Sequence, residues 1–90
     1  MNDNIDVLEE VTIPDLDEAV DSITILFWHV DAGEVVDEGD NLVDIGVSGS
    51  LITVKAPCSG ILNEIFYDEG DEVFIDDVIA TIEPEEKNLL

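Results

Sequence analysis

An all-β fold follows from three observations on this chain of 90 residues. Its Val-, Ile- and aromatic-rich runs are short and are punctuated by Gly, Pro, Asp and Ser about every 8–12 residues, the rhythm of a sandwich or barrel. No apolar stripe of helical period persists over three turns. The chain is 46% hydrophobic despite a net charge of −22. A disordered acidic tail would lack that apolar fraction. The length suits one small domain.

Residues 1–10 are polar and acidic, with Ile5, Val7 and Leu8 as apolar members, and read as an acidic leader or a first edge strand. Val11-Thr12-Ile13-Pro14 is a short strand stopped by proline. Residues 15–22 form a polar loop anchored by Leu16 and Val20. Ile23 to Val30, β-branched and aromatic, is a strand. Ala32-Gly33 and Glu38-Gly39-Asp40 are turns around a very short strand at Val35-Val36. Leu42 to Gly46 is a strand, Ser48-Gly49-Ser50 a hairpin tip, and Leu51 to Ala56 its return, stopped by Pro57. Ser59-Gly60 turns into the strand Ile61 to Tyr67, and Asp68-Glu69-Gly70-Asp71 turns again. Val73-Phe74-Ile75 is a short strand and Val78 to Ile82 closes the domain. The domain is expected over 11–83, with an acidic tail over 84–90.

The chain repeats itself at an offset of 37 residues: Ser22 meets Ser59, Asp31 meets Asp68, Gly33 meets Gly70, Val36 meets Val73, Asp40 meets Asp77 and Ile45 meets Ile82. Each copy is a strand–turn–strand unit too small to bury its own face. Two should pack about a pseudo-two-fold axis.

Charge excludes whole classes of function. Lys+Arg number 2 against 24 Asp+Glu, and the two cations are Lys55 and Lys87. Nucleic-acid phosphates and anionic membrane surfaces both need cationic partners that this chain lacks. One cysteine, Cys58, and one histidine, His29, make neither an internal disulfide nor a Cys/His zinc cluster. No apolar run approaches the ~20 residues of a membrane span. The expected setting is the cytoplasm. The acidity itself has two readings, a heavily solvated face or a high-salt cytosol.

Four segments in order resemble the biotinyl/lipoyl-domain family, and its lipoyl branch more closely. Val11-Thr12-Ile13-Pro14-Asp15-Leu16-Asp17-Glu18-Ala19-Val20 is similar to the opening of lipoyl domains from 2-oxoacid dehydrogenase acyltransferases, with Asp17 in place of the usual Gly. The stretch from Ile25 to Asp40 resembles the family's Trp-x-Val-x-x-Gly-Asp-x-Val-x-x-Gly-Asp run. Lys55-Ala56-Pro57-Cys58-Ser59-Gly60-Ile61-Leu62 resembles its Ala-Pro-x-Ser-Gly-x-Leu segment, and Asp68 to Val73 its second Gly-Asp-x-Val turn. The resemblance implies a flattened barrel-sandwich of two four-stranded antiparallel sheets with quasi-two-fold symmetry.

It also implies a modifiable lysine at the tip of the hairpin between the halves. Counting from Leu42 to Ser59-Gly60 without a gap puts Gly49 at that position, between Ser48 and Ser50. No side chain is then available for an amide-linked lipoyl or biotinyl group. Lys55 sits six residues on within a strand, and Lys87 lies in the tail; neither offers the exposed tight turn a swinging arm needs.

The remaining polar residues read as structural. Ser48 and Ser50 have no neighbouring base and suit a turn. Trp28 and His29 alternate along a strand, so Trp28 faces the packing and His29 the solvent. Cys58 reads as a small buried hydrophobe. The clusters Asp15/Asp17/Glu18, Asp37/Glu38/Asp40 and Asp68/Glu69/Asp71 offer hard oxygen ligands but follow no calcium-loop spacing. The expectation is therefore a non-enzymatic domain with no catalytic, cofactor or metal site. Its partners would be proteins with a basic surface, or a lipoyl/biotinyl-family enzyme complex. The alternative is a swinging-arm carrier domain, of a 2-oxoacid dehydrogenase or glycine-cleavage-type system, with a substituted attachment site. A sheet edge offers a dimer contact, which the net charge opposes at low salt, so the oligomeric state stays open.

Overall fold

The computed structural model describes residues 7–16 and 22–85. Val20, the Asp17/Glu18 pair, the start of the expected leader and Lys87 lie outside the described residues. The described chain forms eight strands and no helix: β1 (Glu9–Thr12), β2 (Ile23–Trp28), β3 (Val35–Val36), β4 (Asn41–Val47), β5 (Ser50–Lys55), β6 (Gly60–Ile65), β7 (Glu72–Val73) and β8 (Val78–Pro84). They make two four-stranded antiparallel sheets, ordered β1-β8-β6-β3 and β5-β4-β2-β7.

The sequence repeat is a structural repeat. A displacement of 37 residues carries β2 onto β6, β3 onto β7 and β4 onto β8 without adjusting a boundary. Strand β5 then stands where β1 stands in the other sheet: Val54 opposes Val43 as Val11 opposes Ala80. The bulges repeat too, at Ile25/Phe27 and at Leu62/Glu64, where one extra residue in each strand turns the following side chains over. Loop hydrogen bonds follow the same rule. Gly33 donates to the Leu62 carbonyl and Gly70 to the Ile25 carbonyl, so each repeat closes its turn on the other repeat's strand. Neither copy can complete its hydrogen bonding alone.

The core lies between the sheets. Ile25 and Leu62, Leu42 and Ile79, Ile45 and Ile82, and Val36 and Val73 are symmetry-related pairs, all buried. Burying such side chains stabilises by about 1.5–3 kcal/mol each. Trp28, Cys58 and Leu16 pack against this core from its margin.

Several expected boundaries move. Strand β1 begins at Glu9 rather than Val11, because Glu9 pairs with Ile82. Strand β2 stops at Trp28 rather than Val30, and β6 at Ile65 rather than Tyr67, since the chain leaves each sheet after its bulge. The expected strand Val73–Ile75 is shortened to Glu72–Val73. Phe74 instead opens a turn, its N–H donating to the Asp77 carboxylate at 2.8 Å, and its ring is exposed. Strand β8 runs past Ile82 to Pro84, paired with Gly60. Its pairing with β1 ends at Ile82, so a residue without an N–H is accommodated there.

Candidate functional site: the hairpin tip and the face behind it

Strands β4 and β5 are joined by a two-residue turn. Ser48 has φ 50° and Gly49 φ 85°. Positive φ at both central residues matches the twist of the flanking strands, and glycine takes it without strain. A Cβ built on Gly49 would meet nothing within 4 Å. The tip is open space. Ser48, Gly49 and Ser50 are all exposed.

Behind the tip, the outer face of the β5-β4-β2 sheet carries Leu51, Gly46 and Leu26. Leu51 is exposed and pairs with Gly46, over which the Leu26 side chain lies. Further along the face, one carboxylate of β4 is linked both to β5 and to the residue that follows β2. The Thr53 hydroxyl donates to Asp44 Oδ1 at 2.7 Å, and His29 Nε2 lies 3.0 Å from the same oxygen. The Phe27 ring meets His29 edge-on at 5.0 Å. Hydrogen bonds from His29 and then Thr53 hold the Asp44 carboxyl below its ordinary value, against a smaller opposing effect of burial. His29 thus points outward as its alternation with Trp28 requires, but it has partners. The sequence could not show them, because they depend on the register of β2 against β4.

The other singled-out residues are accounted for by packing. The Trp28 indole N–H donates to the Tyr67 carbonyl at 2.9 Å, and Trp28 N–H meets the Glu69 carboxylate. Burial, then the charges of Glu9 and Glu38, pushes the Cys58 thiol up, away from a reactive thiolate. Two acidic clusters are turn locks: the Asp40 carboxylate accepts from the Asp37 N–H and the Asp71 carboxylate from the Asp68 N–H. The Asp-x-x-Asp spacing carried that signal in the sequence. Among the described residues no group of three His, Cys, Asp or Glu side chains is arranged to hold a metal. No described helix is long and apolar enough to cross a membrane.

The family described as "Biotin-requiring enzyme", of biotinyl and lipoyl domains, matches residues 9–82. The chain belongs to this family. The dihydrolipoyllysine-residue succinyltransferase component of the 2-oxoglutarate dehydrogenase complex from Buchnera aphidicola subsp. Schizaphis graminum is 38% identical over 79 residues, covering 88% of this chain and 20% of the relative. The acetyltransferase component of the pyruvate dehydrogenase complex from Staphylococcus epidermidis is 31% identical over 82% of this chain and 17% of its own length. The biotinyl/lipoyl chain thus spans about a fifth of the curated relatives it matches. Among solved structures, the lipoyl domain of the 2-oxoglutarate dehydrogenase complex from Azotobacter vinelandii superposes with TM-score 0.69 at 27% identity, over 82% of this chain and 94% of that one. The Kluyveromyces lactis urea carboxylase shares the fold, with TM-score 0.74 at 22% identity over 90% of this chain and 7% of that one.

An amide-linked lipoyl or biotinyl group needs an exposed primary amine at a turn. The described residues do not fit it. The turn residues are Ser48 and Gly49, and neither carries an amine. Lys55 ends β5, opposite Asn41 and five strand steps from Ser50, about 17 Å from the tip.

Proposed function

We propose that this biotinyl/lipoyl domain works as a non-catalytic docking module, with Gly49 standing where the family's attachment lysine would be. The observation that carries this reading is the tip itself: a tight turn with positive φ at both residues, open around Gly49, and without an amine. The functional unit is residues 11–83 and its setting the cytoplasm. Its partners are proteins, and the 24 acidic residues favour those with a basic surface. Complementary charge of this kind speeds encounter and excludes wrong partners. The names of the relatives add a further support, since each is a component of a multienzyme complex.

A second reading, a carrier domain with a substituted attachment site, is favoured by those same names, which specify a dihydrolipoyllysine residue. Co-expression with lipoate and biotin ligases, followed by intact mass, separates the two. The docking reading expects unmodified chain. A lipoyl or biotinyl increment on the wild-type chain would overturn it. An increment gained only by Gly49→Lys would favour the substituted carrier.

A further inference from the structure

Far from the hairpin tip in the fold, the other sheet ends in a groove. Val35 of β3 stands opposite Ile61 of β6, and the two are 75% and 43% exposed. With Pro84 and Gly60 they line a groove of about 390 Å³, bordered by Asp37, Glu83 and Glu85. Strand β3 is the last strand of its sheet, paired on one side only among the described strands. A short open strand beside an apolar groove is the arrangement that accepts an added extended segment.

The repeat supplies an internal control. At the symmetry-related edge, Val35 and Ile61 are replaced by Glu72 and Thr24, which pair in the same way. There Ile23 fills the position held here by Gly60, and Val47 that held by Pro84; both are buried. One end of the sandwich is therefore closed by core side chains, and the other by the Glu83–Pro84 backbone lying against Gly60, with the apolar groove outside it. A scaffold role gives no reason for two large aliphatic side chains in water where the sister edge has polar ones.

We propose that this groove docks an extended basic segment of a partner protein. An aliphatic side chain of that segment rests on Val35, Ile61 and Pro84, and flanking Lys or Arg side chains face Asp37, Glu83 and Glu85. Charge complementarity selects this occupant: the groove is bordered by three carboxylates on a chain of net charge −22, which disfavours a second copy of itself. The proposal rests on the docking reading above and places the docking away from the tip.

The test titrates the isotope-labelled full chain with the capped peptide Ac-Lys-Val-Lys-Ile-Lys-NH2 and, as a control of equal charge, Ac-Lys-Ser-Lys-Ser-Lys-NH2. The expected result is saturable shifts of the Val35, Ile61 and Glu85 amides, with the control about tenfold weaker. Removing the aliphatic surface without changing charge, Val35→Thr with Ile61→Thr, should weaken the first peptide about tenfold. Val35→Ser, at the more exposed position, repeats the test should the double variant unfold. Equal binding of both peptides, no effect of either variant, or shifts centred on Ser48–Leu51 would overturn the proposal. So would tighter binding on Leu89→Ser with Leu90→Ser, which would assign the groove to the chain's own last residues. Shifts at the tip would leave the docking reading standing; a lipoyl increment in the intact mass would remove that reading instead.

Discussion

The two repeats share a backbone but not an edge. Strands, bulges and turn closures coincide after a displacement of 37 residues, and the central core pairs are both buried. The departures collect at the ends and on the outer faces. In the first repeat, Ile23 and Val47 close the core beneath the hairpin tip. In the second, the Glu83–Pro84 backbone lies against Gly60 instead, and a groove stands outside it beside Val35 and Ile61. On the outer face of the first, His29, Asp44 and Thr53 form a charged link. The second has Thr81 in the place of Asp44, and it accepts from Asn63, which stands where the first repeat has Leu26. What both repeats must do, bury a face and close a turn, has kept them alike; at the sheet ends and edges each is free to take its own chemistry.

The core pairs give the largest expected effect. Ile25→Ala and Leu62→Ala should each cost about 2–5 kcal/mol, and by the symmetry their costs should lie close together. Urea unfolding followed by circular dichroism measures both. Strongly unequal losses would break the equivalence of the two halves.

Gly60 comes next. A Cβ there would lie 2.1 Å from the Glu83 carbonyl oxygen, a backbone atom that cannot rotate away. Gly60→Ala should cost about 3 kcal/mol, because β6 and β8 must separate. Ile23, at the equivalent place, carries a full side chain in the core. A tolerated Gly60→Ala would show that the contact between β6 and β8 is looser than its backbone suggests.

A smaller effect, of opposite sign, is expected at Asp76. It holds φ 75° where the first repeat has Gly39 at φ 92°. Its N–H donates to the Ile13 carbonyl, as that of Gly39 does to Ala56, and a substitution keeps that bond. Asp76→Gly should stabilise by about 0.5–1 kcal/mol by relieving the left-handed conformation. Thermal or urea unfolding reads the shift directly.

Smallest is the contribution of Asp44. Its folded value lies below the ordinary 3.8 because His29 and Thr53 hydrogen-bond the carboxylate. The stability this confers is present above the unfolded value and is lost as pH falls through the folded one. The stability gap between the wild type and Asp44→Asn should therefore narrow on acidification below about pH 4. A gap independent of pH would mean that the link is packing rather than charge.

Much of this was legible from the residues. The repeat, the turns, the hairpin tip and the inward-facing Ile, Leu and Val pairs all follow from spacing, since strand faces alternate with period two. The bulges are not legible there, because one inserted residue leaves composition unchanged, yet it reverses the following side chains and brings Phe27 to the outer face with Asp44. Phe74 departs in the other direction: its aromatic ring favours a strand, but its N–H is claimed by the Asp77 turn.

The sequence by itself determined an all-β domain of two like units and a hairpin tip without an amine. Those properties reside in local order: which residue stands at which step, and what chemistry it carries. Only the tertiary structure decided that His29 meets Asp44, that Gly60 lies against the Glu83 carbonyl, and that one sheet end carries an apolar groove whose aliphatic lining the related end lacks. Each depends on register and on the approach of strands distant in the chain, and those are set when both repeats pack together.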